Sequence, residues 1–260
     1  MTGLTTRRKA AAALAAAVCA AAMTVVGAGP ASASQDRTVC KGGDIASGTY
    51  ETLVITGYCV IPDDAKVVVK DNLVLKRGAV LNAVTLATVH VHGNVRVGHR
   101  AILGLGCTVI GVGCAADSDV RVGGNIVAFK PLTMFIDGVT VCGNVRSFGG
   151  GPGLDVTHDN IAFNYAFKDN TVHGNVRLMN WRGGWMGAIR NDVSGYVVYA
   201  RNAGNDPDAN EIVHNMVGGN LGCWGNSPAA QFGDAAEGAP PGYAQNVVGG
   251  RAKGQCAALV

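Results

Sequence analysis

The chain has 260 residues, with 21 Lys and Arg against 18 Asp and Glu, a formal excess of three positive charges. That excess equals Arg7, Arg8 and Lys9 at the start, so once they are removed the signs balance, and there is no electrostatic case for nucleic acid as partner. With 38 glycines, few aromatics and no 3.6-residue apolar period beyond the first segment, the composition excludes a helical bundle and points to an all-β chain with many turns.

Residues 1–33 read as a secretory signal peptide: a cationic start, an Ala/Val-rich apolar stretch, and Ala31-Ser32-Ala33 as a cleavage site. Arg7-Arg8 raises the twin-arginine route, but no strongly apolar residue follows it closely, which favours the general route. Val18 is branched where lipoprotein processing at Cys19 would want a small residue. No second long apolar run follows, so the expected mature protein is secreted and has no membrane span. Residues 34–56 are read as an N-terminal segment and cap, and residues 57–256 as the main domain.

That domain repeats itself. Aligned on one glycine position, related stretches run TGYCV (Gly57), KDNLV (Asp71), HGNVR (Gly93), GGNIV (Gly124), CGNVR (Gly143), HGNVR (Gly174), SGYVV (Gly195), GGNLG (Gly219) and GGRAK (Gly250). The steps are 14, 22, 31, 19, 31, 21, 24 and 31 residues, and the excess of the long ones falls in loop-like text. A strand-and-turn unit near twenty residues with variable corners is the mark of a β-solenoid. One position on, Asn72, Asn94, Asn125, Asn144, Asn175 and Asn220 form a column. Their tolerance of left-handed backbone suits a tight corner, and stacked amides about 4.8 Å apart can bond up and down. Asn170, Asn191, Asn215 and Asn246 form a second column four residues before the glycine. Alternation turns Val89, Val91, Val95 and Val97 inward and His90, His92 and Arg96 outward. The expected fold is a single-stranded right-handed parallel β-helix with Asn ladders and disulfide-tied ends.

An exported chain can keep disulfides, although sequence alone does not fix connectivity. We expect Cys40–Cys59 near the N-terminal end, Cys107–Cys114 across a short loop and Cys223–Cys256 at the C-terminal end, which leaves Cys142 over. Such links would tie down the exposed strand edges at the ends of a stack.

The N-x-V-x-G-N runs, the Asn columns and the ending GGNLGCWGNSP with GQC resemble secreted actinobacterial right-handed parallel β-helix proteins of the pectate-lyase-like fold, over roughly residues 50 to 256. A left-handed hexapeptide helix, prompted by VGHRAILGLG, would want steps that are multiples of six. The early VVVKDNLVLKRGAVLNAV is also similar to bactofilin-like polymers, against which the export signal and cysteines argue.

For chemistry, Arg96, Val127, Arg146 and Arg177 share an outward column, with Arg146 and Arg177 as neighbours. The resemblance implies an Arg base beside calcium-bound carboxylates, but Asp155, Asp159, Asp169 and Asp192 share no offset and form no acidic column. Asp155 with Asp159 is the candidate carboxylate pair for glycoside hydrolysis. His90 and His92 lie on one strand face, with His173 in the column of His92 but three coils away, so no metal site is predicted. Cys142 beside His173 is a candidate nucleophile pair that lacks an orienting group. The strongest binding signal is LMNWRGGWMGAIRN, with Trp181, Trp185, Arg182 and, one coil on, Tyr199 as ligand contacts. The favoured expectation is a monomeric, exported, non-catalytic protein contacting polysaccharide or cell wall, with no cofactor. The alternatives are a lyase or hydrolase on the same scaffold, and a structural coat component.

Overall fold

The structure, a computed structural model, describes residues 36–155, 164–237, 242 and 244–260. Residues 1–33 and Asp159 lie outside them. Residues 36–260 form a single unit. Its strands pair in parallel across three long sheets, A, B and C, of ten, eight and nine strands. Sheet A contains Arg37–Cys40, Thr52–Ile55, Leu73–Leu75, Val95–Val97, Ile126–Phe129, Val145–Phe148, Val176–Met179, Val197–Ala200, Leu221–Trp224 and Ala252–Gly254. We number the coils 1 to 10 by these strands. The chain visits A, then B, then C, and returns to A one coil further on. Crossovers between parallel strands of one sheet are overwhelmingly right-handed, so the chain is a right-handed parallel β-helix.

The core follows from alternation. Leu53, Leu73, Val95, Ile126, Val145, Val176, Val197 and Leu221 stand in one inward column of sheet A, each at most 5% exposed. Short β-branched strands fit this interior because each coil buries the face of its neighbours.

Register bears out the aligned glycines from position 93 onward: Val95 pairs with Ile126, Val145 with Val176, and Leu221 with Ala252. These coil steps of 31 residues are not multiples of six, which removes the hexapeptide alternative. One unit was misaligned. TGYCV leads into the sheet B strand Tyr58–Val60, not into sheet A. The sheet A partner of Leu73 is Leu53, twenty residues earlier rather than fourteen. Consequently the stack starts before residue 57: Arg37–Cys40 pairs with Thr52–Ile55, Gly43–Asp44 with Tyr58–Val60, and Gly48–Tyr50 with Lys66–Val69. Residues 37–55 are therefore coil, not a separate cap.

Both asparagine ladders form. On the outer corner Asn94 Nδ2 donates to Asn72 Oδ1 at 3.1 Å, and Asn125 to Asn94, Asn144 to Asn125 and Asn175 to Asn144 at 3.0 Å each. Each Oδ1 also accepts the backbone N–H of the next rung, for example Asn125 N at 2.9 Å. None of these asparagines has positive φ, so hydrogen bonding, and not left-handed backbone, selects them. Tyr196 interrupts the column. In the second ladder, buried between sheets B and C, Asn170 Nδ2 donates to Asn191 Oδ1 at 3.0 Å, Asn191 to Asn215 at 2.9 Å, and Asn215 to Asn246 at 2.9 Å. A third ladder escaped the sequence reading. Trp181 N donates to Asn202 Oδ1, Asn202 N to Asn226 Oδ1, and Asn226 Nδ2 to Gln255 Oε1 at 2.8 Å.

The disulfides are Cys40–Cys59, Cys107–Cys114 and Cys223–Cys256, as expected. The first links coil 1 to coil 2, and the last fastens the terminal 3-10 turn Gln255–Ala258 under coil 9. Cys142 is not a free thiol either. No helix among the described residues is long and apolar enough to cross a membrane.

Candidate functional site

Two of the four expected ligand contacts, Trp181 and Tyr199, are unsuitable. Trp181 is 1% exposed, packs edge-on against Tyr165 and donates its indole N–H to Leu132 O at 3.2 Å. Tyr199 is fully buried, its hydroxyl bonded to Met186 O and Asn210 Oδ1. Both rings fill the core and offer no face to a ligand. Trp185 is half-buried beside Ile189 and Val213, with Lys168 Nζ 5.1 Å from its ring centroid. Arg182 is exposed on a short strand pairing with Ala203–Gly204. Tyr199 was legible: it stands two residues past inward Val197 on the same strand.

Of the catalytic candidates, Arg146 and Arg177 stand side by side as expected. Asp155 is exposed at the edge of the described loop, and Asp159 falls outside the described residues. His90 Nε2 sits at hydrogen-bonding distance, 3.1 Å, from Asp119 Oδ2, while Asp119 Oδ1 accepts from Arg121 Nε at 2.8 Å, so this histidine is tied to an Asp–Arg ion pair. Cys142 and His173 are adjacent in register, one step beyond the Val141–Val172 pair. Because Cys142 is not a free thiol, the nucleophile pair is withdrawn.

What the fold does assemble is the outer face of sheet A. Arg96, Val127, Arg146, Arg177 and Val198 fall in one outward column. Two residues further along each strand, Phe129, Phe148, Met179, Ala200 and Trp224 form a second. Phe129 and Phe148 are 55% and 50% exposed, with rings stacked at a 6.5 Å centroid separation and 9° between planes. Lys130 Nζ lies 5.5 Å from the Phe129 centroid, and the Arg177 guanidinium 5.1 Å from that of Tyr196, whose hydroxyl it also bonds. No sheet A strand contains Asp or Glu. The signal for the aromatic column was present in the sequence: Phe129, Phe148 and Trp224 each stand five residues after an aligned glycine.

Elsewhere, Glu211 on sheet B is 4% exposed beneath the segment that carries Asp234. Burial first, then the neighbouring Asp234 carboxylate, raise its pKa from 4.5 to about 8, with Lys168 lowering it and Asp208 adding the smallest increase. The folded form therefore holds a proton that the unfolded chain releases near 4.5. This contribution to stability is complete below 4.5, falls as pH rises, and is gone above about 8. Glu211→Gln, which keeps the neutral shape, should flatten the decline of the thermal midpoint between about pH 5 and 8.

No protein-family model, curated protein or solved structure matches the chain.

Proposed function

We propose that the protein is an exported, non-catalytic binding protein that lays a polysaccharide along the outer face of sheet A. One observation carries this reading: the exposed, stacked pair Phe129 and Phe148 lies beside the neighbouring Arg146 and Arg177 on successive coils of one face. Flat apolar rings suit the C–H faces of sugars, and guanidinium groups supply directional donors to their oxygens. The signal-like first segment and the three disulfides support an extracellular setting. So does the resemblance of the N-x-V-x-G-N runs to secreted actinobacterial β-helix proteins. The lyase or hydrolase alternative needs carboxylates on this face, and the strands of sheet A supply none.

The test is a glycan array with the purified protein, run alongside detection of unsaturated or reducing product ends. Binding without turnover is expected, weakened about tenfold, or 1.4 kcal/mol, by Phe148→Ala. Turnover abolished by Arg177→Ala would replace this reading with the enzymatic one.

A further inference from the structure

Balanced overall charge hides its distribution. Coils 3, 4 and 5 turn from sheet A to sheet B through Lys76–Ala79, Gly98–Ala101 and Lys130–Leu132, segments bracketed by the paired strands on either side. These turns set Arg77, Arg100 and Lys130 at one corner, on coils about 4.8 Å apart. Two surface depressions of about 550 and 530 Å³ meet there and share Arg77 in their walls. The first also carries Lys76, Arg96 and Phe129, and so opens onto the sheet A face. The second carries Arg100 and Leu132.

Two features mark the corner as suited to negative charge. None of Lys76, Arg77, Arg96, Arg100 and Lys130 forms an ion pair among the described residues, whereas Lys70, Arg121 and Arg190 do. The His99 pKa is lowered, by desolvation first and then by repulsion from Arg77, Arg100 and Lys130, and its Nδ1 has no hydrogen-bond partner. Arg100 has φ of 56°, at the site where the preceding coil places Gly78 with φ of 70°. The same left-handed backbone recurs at this corner at Lys130, Asn180 and Arg201, so it belongs to the turn, and at Arg100 and Lys130 the turn presents cations to solvent. The acids lie elsewhere: Asp63, Asp64, Asp137 and Asp169 are at or beside the turns between sheets B and C.

We propose that this corner and the adjoining arginine face seat an acidic polysaccharide, its acidic groups against Arg77, Arg100 and Arg96 and its sugar faces on Phe129 and Phe148. This deepens the binding reading above and rests on it. The exported setting of the proposed function favours an acidic glycan over a nucleic acid.

The experiment measures binding of the purified protein to a polyuronate, a sulfated glucan, a neutral glucan and single-stranded DNA at several salt concentrations. One or both acidic glycans should bind, with affinity falling as salt rises and the preferred polymer reporting carboxylate or sulfate. Arg77→Glu should weaken binding about tenfold or more, and Arg100→Gly about threefold while keeping or raising the thermal midpoint. Lys66→Glu, the same charge change on exposed sheet C, should have little effect. Equal binding of neutral glucan would overturn the charge inference and leave the glycan reading standing. DNA bound as tightly as the acidic glycans would overturn the polymer class, and equal loss with Lys66→Glu would overturn the location. No glycan bound at all would remove both readings.

Discussion

Gly174→Ala should be among the most damaging single substitutions in the chain. A Cβ at Gly174 would run into the carbonyl oxygen of Gly143 in the preceding coil, with the Gly143 carbonyl carbon 2.8 Å and Asn144 Oδ1 2.9 Å away. These are mostly backbone atoms that also serve the stack. Gly174 N donates to Gly143 O at 3.1 Å, and Asn175 bonds Asn144 Oδ1. Relief would require the coils to part at the ladder, adding lost hydrogen bonds to steric strain. We expect a loss of about 3–5 kcal/mol, read as a fall in the guanidinium midpoint. Gly48→Ala, whose added methyl would touch only the Tyr50 side chain at 3.9 Å, should change stability by less than about 1 kcal/mol. Similar losses at both sites would refute the explanation of the repeat. The recurring HGN motif is thus a clearance rule: Gly124, Gly143, Gly195, Gly219 and Gly250 all meet the preceding coil's carbonyl at under 3.0 Å.

Asn191→Ala should match that loss by a different route. Asn191 is 2% exposed; its Nδ2 donates to Phe167 O and Asn215 Oδ1, and its Oδ1 accepts from Asn170 N and Nδ2. Truncation leaves buried polar groups without partners and opens a void that the stack cannot close. The expected cost is about 3–5 kcal/mol. Asn94→Ala removes a comparable rung from the half-exposed outer ladder, where water can take its place, and should cost only about 1–2 kcal/mol. Denaturant midpoints of the two variants, measured side by side, decide the matter. Equal losses would show that burial does not set the value of a rung.

These contrasts show what could be read from the sequence. Contacts that recur at one offset on every coil leave a fixed letter, which is why the glycine column, two amide columns and the inward valines were visible. Gly57 carried the same letters on a different sheet, and sheet identity emerges only when the coil closes. The third ladder, Asn202 to Asn226 to Gln255, hid because its letter repeats only twice: Asn202 and Asn226 stand seven residues after Gly195 and Gly219, but Trp181 holds that place after Gly174 and Gln255 stands five after Gly250. Trp181 looked like a binding residue because it lies past its strand, where alternation no longer decides in from out. The basic corner was invisible in a balanced charge count, since only the fold sorts bases and acids to different edges.

The polarity of the ladders has a consequence for the electrostatics of the whole rod. In the outer column rung-to-rung donation runs toward the N-terminal coils, from Asn94 to Asn72 through to Asn175 to Asn144. In the buried column rung-to-rung donation runs the other way, from Asn170 to Asn191 and from Asn215 to Asn246, while each Nδ2 also donates back to a carbonyl of the preceding coil, as Asn191 does to Phe167 O. Their amide dipoles oppose one another, whereas the aligned dipoles of an α-helix sum to a macrodipole. The outer column spans Asn72 to Asn175 and the buried one Asn170 to Asn246, so the two offset each other only on the coils they share, and beyond these each directs its rung-to-rung donors toward its own tip of the stack.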